Sequence, residues 1–547
     1  MDRIWDVAII GGGHNGLVAA AYLAGAGLHV VVLEKNAVVG GAAVTEEFHP
    51  GFRNSVASYT VSLLSPKVIA DLDLHRHGLR IVERPVANFW PIDATRGLVM
   101  PYGLANRQAA IAAFSKADAE RLPAYDAALE RAASVLRDLT LQTPPNAGAG
   151  IVDMLRSAPL GKRLYGLTLD DKRLLLDLFT KSAAAFLDQW FESEIVKGAF
   201  AFDGIVGAYA SPYQPGTAYV LLHHCFGEVN GKTGVWGHAV GGMGAITQAM
   251  ARAAEAHGAV IRTDAPVAML KTTGETVTGV VLGSGEEIRA RAVASNIQPK
   301  LLFRAYVPED AVDDATRRRF TSIETGSGTF RMNVALSELP DFICRPGTNQ
   351  QPHHASGIVI GPTLGYLERA YLDARRDGWS AEPVVEILIP STLDDTLAPK
   401  GQHVASLFGQ HVAPRLPAGR SWADESEKAR FADVVIDTVT KHAPNFRASI
   451  VGRQVLSPLD LETRFGLVDG DIFHGQLSLA QLFSARPVLG HADYRLPVKG
   501  LYLCGAGAHP GGGVTGLPGH NAAREILRDF KRGVTPSAAG LSAGRRR

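Results

Sequence analysis

A glycine-rich turn after a short apolar segment, close to the start of the 547-residue chain, constrains the fold most. Residues 7–10 read Val-Ala-Ile-Ile, an uninterrupted apolar run suited to a parallel strand buried on both faces. Gly11, Gly13 and Gly16 follow in the spacing G-x-G-x-x-G. We predict that Gly11 permits a tight turn and that Gly13 lets the backbone approach a pyrophosphate. Gly16, with Ala20 one helical turn later, lets the following helix pack closely on the strand.

The second strand of this unit ends on an acidic residue. It reads HVVVLEK, and its Glu34 lies 18 residues beyond Gly16. A carboxylate at this position accepts hydrogen bonds from a ribose hydroxyl pair and repels a 2′-phosphate, which disfavours NADP. At the start of the helix, His14 and Asn15 offer free N–H groups and a positive dipole end to phosphates. FAD and NAD both remain compatible with this unit, in which Lys35 follows the acid.

Two further glycine-rich segments distinguish between these cofactors. Gly40 and Gly41, followed by Ala42, come at a spacing seen in many flavoproteins, where paired glycines bring backbone against the cofactor. Near the carboxyl end, the apolar segment 501–504 precedes a glycine loop, and a helix is predicted from about Gly519. This arrangement suits the ribityl chain and pyrimidine edge of a flavin, so FAD fits better than NAD. The residues of this loop predicted to contact FAD are Gly505, Ala506, Gly507, Val514, Thr515 and Gly516.

Charge and cysteine content exclude several other classes of protein. Lys plus Arg total 55 against 54 for Asp plus Glu, so no nucleic-acid partner is expected. Cys225, Cys344 and Cys504 form no C-x-x-C pair, which argues against a disulfide scaffold, dithiol chemistry and a zinc site, and we predict no metal. The first strand begins almost at the amino terminus, which predicts no signal peptide, and no apolar stretch reaches the ~18 residues of a spanning helix. The segment 534–547 is predicted to be a disordered basic tail.

Three segments carry a resemblance to a known family. GGGHNGLVAAAYLAGAG with the later VGGAA, GGMGAITQAMARAAEAHGAVIRTDAPVAML, and GLYLCGAGAHPGGGVTGLPGHNAA resemble the FAD-dependent phytoene desaturase superfamily. Within it the chain is most similar to the branch called pyridine nucleotide-disulfide oxidoreductase domain-containing protein 2, with bacterial carotenoid ketolases nearby. The resemblance extends to about residue 530 and includes DQWFESE and DIFHGQLSLAQLFSARP.

The resemblance implies FAD and adds one contact, the backbone of Val267 against the adenine. Two positions depart from the wider flavoprotein pattern. Ala506 stands where many have an acid that reaches the ribityl hydroxyls, and Ala42 stands where many have arginine, so backbone groups must serve there. The branch name suggests disulfide and nicotinamide chemistry. However, the chain has no C-x-x-C motif and no second G-x-G-x-x-G in a strand–helix unit, so we expect neither.

These observations predict an α/β protein, α+β overall, in two discontinuous domains. A Rossmann-type FAD-binding domain is expected from residues 1–103, 234–302 and 486–533. The intervening residues 104–233 and 303–485 are expected to form a mixed helical and antiparallel-sheet substrate domain over the flavin. Its first part has apolar residues at helical spacing, and GTFRMNVALSEL, PVVEILIPST and HVASLFGQHV in its second part are predicted strands.

An FAD beneath an apolar roof implies hydride transfer between a substrate carbon and the flavin, with a proton lost or gained at the neighbouring carbon. His509, in the glycine loop, is the first candidate for the base, and His224 with the adjacent His223 is the second. Tyr59 is a candidate for lining the pocket. For each of these side chains, ordinary packing or a backbone hydrogen bond is an equally good interpretation.

Three functions remain open from the sequence. The first is an FAD-dependent oxidoreductase that desaturates, saturates or oxidises a hydrophobic, isoprenoid or lipid substrate, with oxygen or a quinone as acceptor. The second is a carotenoid ketolase or desaturase proper, which predicts a long apolar tunnel. The third is a flavin-holding regulatory or assembly protein of the mitochondrial-type branch. We expect a cytoplasmic protein, or a mitochondrial-matrix protein if the source is eukaryotic. The sequence leaves open a peripheral membrane contact and a homo-oligomer.

Overall fold

The computed structural model describes residues 3–146, 158, 161–225 and 227–535 of the chain. Its strands are β1 (Trp5–Ile10), β2 (Val30–Leu33), β3 (Thr45–His49), β4 (Phe52–Ser55), β5 (Ile81–Glu83), β6 (Asn88–Pro91), β7 (Gly97–Met100), β8 (Glu228–Val229), β9 (Lys232–Thr233), β10 (Gly237–Ala239), β11 (Val260–Arg262), β12 (Val267–Thr273), β13 (Thr276–Leu282), β14 (Glu287–Ser295), β15 (Thr329–Leu336), β16 (Gly357–Ile360), β17 (Trp379–Leu388), β18 (His403–Val412), β19 (Ile450–Leu456) and β20 (Leu501–Leu503). Its α-helices are α1 (His14–Gly25), α2 (Pro66–Asp71), α3 (Leu104–Ala112), α4 (Lys116–Thr140), α5 (Leu169–Thr180), α6 (Ala183–Leu187), α7 (Glu194–Ala201), α8 (Thr217–His224), α9 (Met243–Ala256), α10 (Pro299–Leu301), α11 (Asp314–Thr321), α12 (Leu364–Asp377), α13 (Glu425–His442), α14 (Phe446–Ser449), α15 (Pro458–Phe465) and α16 (Leu517–Lys531). Residues 536–547 of the predicted tail lie outside the described residues.

The first sheet has a parallel core with β1 at its centre. β1 pairs in parallel with β2 on one side and with β14 on the other, while β11 extends the sheet beyond β2. β20 runs parallel to the second half of β14, and β12 and β13 form an antiparallel extension from its first half. The segment VTGVVLGSGEEIRARAVASN, residues 277–296, predicts a hairpin with its bend at SGEE, and the β13–β14 pairing confirms it. The apolar residues of β1 and β2 are fully buried, as expected for strands covered on both faces.

Helices α1, α9 and α16 pack on and beside this sheet through small residues. Gly519 in α16 approaches α1 so closely that a Cβ there would lie 2.1 Å from the carbonyl oxygen of Asn15. The four alanines of α1 and most of those of α9 are buried in the same hydrophobic core as β1, β2 and β14. Close approach of these helices brings their amino termini to the carboxyl edge of the parallel strands, where ligands bind in such sheets.

The second sheet is mostly antiparallel, in the order β19-β15-β18-β17-β16-β6-β7. It contains β15, β17 and β18, so the three strands predicted for the substrate domain are confirmed. One face packs against α13 around Phe330 and Phe431. A separate helical core, formed largely by α4, α6, α7 and α8, contains Tyr125 and Phe186.

One part of the predicted domain division differs from the observed strand pairing. Strands β6 and β7 were assigned with residues 1–103 to the FAD-binding domain, but they belong to the second sheet. β6 pairs in parallel with β16 at Gly357 and Ile358. By strand pairing, the first segment of the FAD-binding domain therefore ends before Asn88 and not at residue 103. Sequence alternation identifies a strand but does not specify its partner.

Among the described helices, none is both long enough and apolar enough to cross a lipid bilayer.

Candidate functional site

A deep cleft lies between the two sheets. The carboxyl ends of β1, β2 and β14 form its floor, and β17, β18 and α8 contribute to its roof. It encloses about 1960 Å³ of empty space, including the solvent at its mouth. The cleft therefore lies at the carboxyl ends of the parallel strands, where open α/β sheets bind nucleotides. Residues of β17, β18 and α8 cover it from the other side.

The glycine turn brings three chain segments together on the floor. Gly11 adopts a φ of 93°, which favours glycine, and its N–H donates to the carbonyl oxygen of Leu33 at 2.8 Å. A Cβ on Gly13 would lie 2.7 Å from Asn296 Nδ2. The N–H of Gly40 donates to the carbonyl oxygen of Gly12 at 2.9 Å, which fixes the paired glycines against the turn. The backbone is therefore exposed to the cleft where side chains would obstruct a ligand.

Glu34 points into the cleft from the end of β2. Its side chain is buried, with 4% of its surface exposed. One carboxylate oxygen accepts from the N–H of Gly12 at 2.8 Å, and the other accepts from the backbone N–H and the side-chain amide of Asn36, both at 2.9 Å. These bonds fix the carboxylate beside the glycine turn, where its remaining lone pairs face the position predicted for the ribose.

Unpaired polar atoms in the cleft test whether FAD fits. Within the described ranges, His14 Nε2, both amide atoms of Asn15, Gln298 Nε2 and His474 Nδ1 are buried without a hydrogen-bond partner, and all four residues line the cleft. Burial lowers the pKa of His14 to about 4 and that of His474 to about 3, so both rings are neutral at pH 7. Buried polar groups are normally satisfied. A pyrophosphate at the amino terminus of α1 and a flavin near Gln298 would satisfy them, so the residues fit FAD.

The carboxyl-terminal loop reaches the same cleft through Gly512, Gly513 and Val514. Its position depends on Arg486, which sequence reasoning missed because no motif marks it. The guanidinium of Arg486 is 1% exposed and donates to the carbonyl oxygens of Phe473 at 2.6 Å and Ala506 at 2.7 Å. Arg486 therefore joins the loop that contains His474 to the loop predicted to meet the flavin.

Most residues predicted to contact FAD are brought together in this cleft. Those that line it are Gly11, Gly13, His14, Asn15, Glu34, Lys35, Gly40, Gly41, Ala42, Val267, Ala506 and Val514. Those that do not line it are Gly16, Gly505, Gly507, Thr515 and Gly516.

The five residues outside the cleft lie in the packing behind it. A Cβ on Gly16 would lie 2.3 Å from the carbonyl oxygen of Gly11, and one on Gly507 would lie 2.3 Å from Pro299 Cδ. A Cβ on Gly505 would lie 2.8 Å from the carbonyl oxygen of Asn296. The geometry at Gly16 agrees with the close helix–strand packing predicted for it, whereas Gly505 and Gly507 lie where the elements that carry the cofactor residues pack closely.

The other two residues of this group are at the start of α16. The carbonyl oxygen of Thr515 accepts from the N–H of Ser65 at 3.1 Å, and its side chain faces a second cavity. Gly516 adopts a φ of 74° immediately before the helix. Both residues therefore set the direction of α16 instead of lining the cleft.

His509, the first candidate for the base, is placed away from the cleft. Its side chain lines the second cavity, and its Nε2 lies 2.9 Å from the carbonyl oxygen of Leu139 at the end of α4. Burial lowers its pKa to about 4. The adjacent glycines reach the cleft, whereas the His509 ring turns to the opposite side of the loop. Of the two candidate bases, His509 therefore lies outside the cleft and His224 lies within it.

His224 and Tyr59 do line the cleft. The Nδ1 atom of His224 lies 2.9 Å from the carbonyl oxygen of Val220, and burial lowers the pKa of the ring. Whereas the His224 ring contacts a backbone carbonyl, the hydroxyl of Tyr59 donates to another side chain, Glu386 Oε2, at 2.5 Å. The hydrogen-bonded pair of Tyr59 and Glu386 is the polar centre of the roof. His223, the neighbour of His224, lines the second cavity.

Sequence reasoning missed the charged residues around this pair. The Cζ atom of Arg331 lies 4.2 Å from the centroid of the Tyr59 ring, and its Nη2 donates to Ser406 Oγ at 2.5 Å. Arg84 is buried on the same side and hydrogen-bonds Thr60. Sequence patterns offered no signal for Arg331, which is an isolated cation within an apolar strand.

Two carboxyl groups in the roof have altered acidity. Burial raises the pKa of Glu386, while the guanidiniums of Arg84 and Arg331 oppose that rise. Burial raises the pKa of Asp203 to about 7, and the charge of Glu386 adds to the effect. Burial also raises the pKa of Tyr59. Groups with shifted acidity in a cleft are candidates for proton transfer.

Comparison with known proteins agrees with this geometry. The family model for flavin containing amine oxidoreductases matches residues 16–327. Pyridine nucleotide-disulfide oxidoreductase domain-containing protein 2 of Rattus norvegicus is 43% identical, over 96% of this chain and 94% of the rat protein. Phytoene desaturase (lycopene-forming) of Pantoea ananas is 25% identical, over 93% of this chain and 96% of that protein. One of the limonene dehydrogenase polypeptides of Castellaniella defragrans is 24% identical, over 96% of this chain and 95% of that protein.

Solved structures share the fold at low sequence identity. Putrescine oxidase bound to putrescine has a TM-score of 0.58 and 15% identity, over 97% of this chain and all of that chain. Cyclohexylamine oxidase from Brevibacterium oxydans has a TM-score of 0.55 and 17% identity over the same share of this chain. The predicted Rossmann-type α/β fold, the predicted FAD and the family resemblance are therefore confirmed. The chain belongs to the flavin-containing amine oxidoreductase family, in the branch of pyridine nucleotide-disulfide oxidoreductase domain-containing protein 2, and is an FAD-dependent oxidoreductase.

Proposed function

We propose that this protein transfers hydrogen between FAD and a carbon–carbon bond of an uncharged hydrophobic substrate of isoprenoid or lipid type. The names of two relatives support the substrate class, since phytoene and limonene are both isoprenoid hydrocarbons. Oxygen or a quinone is the proposed acceptor. The observation that carries the proposal is the hydrogen-bonded pair of Tyr59 and Glu386 in the roof of the FAD cleft.

The surroundings of Glu386 favour an uncharged substrate over an amine. Phe408 and Phe202 also line the cleft, so the groups next to the carboxylate include apolar rings. The guanidiniums of Arg84 and Arg331 already lie close enough to Glu386 to lower its pKa against the effect of burial. A cationic amine entering beside Glu386 would meet two buried positive charges, and like charges repel strongly at low dielectric.

The proposed reaction removes two hydrogens from neighbouring carbons and leaves a double bond. When bound above the glycine turn and Glu34, FAD would supply a two-electron acceptor for one of these hydrogens, with oxygen or a quinone as the proposed final acceptor. The Glu386 carboxylate receives the second hydrogen as a proton from the adjacent carbon. Tyr59 donates a hydrogen bond to that carboxylate and holds it towards the cleft, while the aromatic roof excludes water. In the reverse direction, protonated Glu386 returns the proton and the double bond becomes saturated.

The experiment that tests this proposal is anaerobic reduction of the FAD-loaded protein by a panel of isoprenoid hydrocarbons, retinoids and fatty acyl compounds. Loss of the absorbance of oxidised flavin reports the reaction. We expect an isoprenoid hydrocarbon to reduce the flavin and Glu386→Gln to slow that reduction by about 100-fold or more, as for loss of a proton-transfer group. FAD content should be unchanged, because Glu386 lies in the roof.

Glu382→Gln provides the matched control, since Glu382 lies on the same strand with an exposed side chain and should leave the rate unchanged. Putrescine and cyclohexylamine test the alternative substrate class. Reduction by an amine but by no hydrocarbon would overturn the proposal, and so would a Glu386→Gln rate equal to wild type. If no compound reduces the flavin and a polypeptide partner co-purifies, the flavin-holding regulatory function is favoured instead.

A further inference from the structure

A second large cavity lies behind the wall of the FAD cleft. It encloses about 2060 Å³ of empty space, including the solvent at its mouth, and lies between α4, α5, α8 and the loop at His509. Most of its lining is aliphatic or aromatic. The apolar residues that line it include Leu136, Leu139, Leu167, Leu175, Phe179 and Tyr219.

The two cavities are separated by a wall one residue thick. Leu63 lines both of them. Gly513 lines the FAD cleft, and a Cβ on it would lie 2.6 Å from Leu63 Cδ1 and 3.6 Å from His223 Nε2. His223 lines the second cavity, whereas the next residue, His224, lines the FAD cleft. A ligand in the second cavity is therefore a single side chain away from the residues around the flavin.

Two leucines that line the second cavity are also exposed to solvent. Leu176 is 63% exposed and Leu164 is 38% exposed, and both also line the cavity. Exposed apolar side chains that continue into a cavity provide an entrance for an apolar ligand.

Three of the five charged residues that line this cavity form ion pairs within the protein, and the ammonium of a fourth, Lys172, donates to the carbonyl oxygen of Tyr165 at 2.8 Å. Lys67 forms an ion pair with Asp71 at 2.7 Å, and Asp138 forms one with Arg163 at 2.6 Å. Arg137 forms an ion pair with Glu130 at 2.9 Å. A carboxylate or ammonium head group would have to compete with these partners. The cavity therefore favours a ligand without charge.

We propose that the second cavity binds the uncharged hydrocarbon chain of a substrate outside the FAD cleft, with Leu63 as the partition between the two. This inference rests on the proposed function for its choice of substrate. Burial of a hydrocarbon contributes roughly 25 cal/mol per Å², which is sufficient to retain a chain without polar contacts. The reacting end of the chain crosses the wall at Leu63 while the remainder stays among the leucines.

The test uses diphenylhexatriene, an uncharged hydrocarbon probe that fluoresces in apolar surroundings, with the FAD-loaded protein. Its trimethylammonium derivative is the charged control probe. We expect the neutral probe to bind and to transfer excitation energy to the flavin, because the wall is thin. The charged derivative should bind at least about tenfold more weakly, which corresponds to 1.4 kcal/mol.

Leu175→Trp fills the cavity and should weaken binding of the neutral probe about tenfold or more. Leu372→Trp is the matched control, because Leu372 is 52% exposed on α12 and lines neither cavity. Should Leu175→Trp fail to fold, Leu136→Phe takes its place. Equal probe affinity in wild type and both cavity variants overturns the inference, as does equal affinity for the two probes.

The outcome is separable from that of the proposed function. If the neutral probe binds and Leu175→Trp displaces it, the site is supported even when no hydrocarbon reduces the flavin. If a hydrocarbon reduces the flavin in wild type and Leu175→Trp equally well, with unchanged probe affinity, the proposed function stands and the second site is refuted.

Discussion

Replacement of Glu34 tests the assignment of the FAD cleft most directly. In Glu34→Ala the N–H of Gly12 and the two donors of Asn36 lose an acceptor that they now contact at 2.8 and 2.9 Å. A buried donor without a partner costs about 1–3 kcal/mol, so the apoprotein should be destabilised by that order. Loss of a charge-assisted hydrogen bond to the ribose adds about 1.5–3 kcal/mol to the free energy of FAD binding. The dissociation constant of FAD should therefore rise about 10- to 150-fold.

Titration of the apoprotein with FAD, followed by the quenching of flavin fluorescence, gives this constant, and thermal unfolding without FAD gives the stability. Glu34→Gln keeps the shape and one acceptor oxygen, and should fall between wild type and Glu34→Ala. Glu255→Ala is the control, because Glu255 is exposed on α9 and should change neither quantity. A folded Glu34→Ala protein that binds FAD within twofold of wild type would refute the ribose assignment.

Three further predictions concern Asp203, Gly16 and Ser115. Folding raises the pKa of Asp203 from 3.8 to about 7, so its contribution to stability falls as pH rises from about 4 to about 7. Asp203→Asn should melt above wild type at pH 8 and equally at pH 4, and equal melting at both pH values would contradict this. In Gly16→Ala the added Cβ, 2.3 Å from the carbonyl oxygen of Gly11, should displace α1 and lower both melting temperature and FAD content, whereas Gly365→Ala on α12 should leave both unchanged. Ser115→Ala removes the hydroxyl that caps α4 at 3.1 Å and should lower the free energy of urea unfolding by about 1 kcal/mol; no change in the midpoint would argue against the cap.

The cofactor half of the site was predictable because its residues are close in sequence. Gly11, Gly13 and Glu34 belong to one strand–helix–strand unit, whose local geometry follows from residue type and spacing. The hairpin and the strands of the second sheet were predicted for the same reason. Their alternation and turn residues are local signals.

The roof was not predictable, because its contacts join distant parts of the chain. Tyr59 and Glu386 are 327 positions apart, and an acid among the apolar residues of a strand carries no signal of its partner. The placement of His509 outside the cleft was not predictable for a similar reason. Its place beside the cofactor loop indicated the flavin, but its ring partner, the Leu139 carbonyl, lies 370 positions away. Pairing of β6 with β16 was hidden in the same way.

The position of β1 between β2 and β14 has a consequence during synthesis of the protein. β1 is synthesised before both of its neighbours, and because β14 begins only at Glu287, one edge of β1 stays unpaired until that strand has been made. The last helix of the cofactor domain follows only after Leu517. A nascent chain therefore exposes an unpaired apolar edge for a long time, and the FAD cleft is complete only after the loop at residues 512–514 has been synthesised.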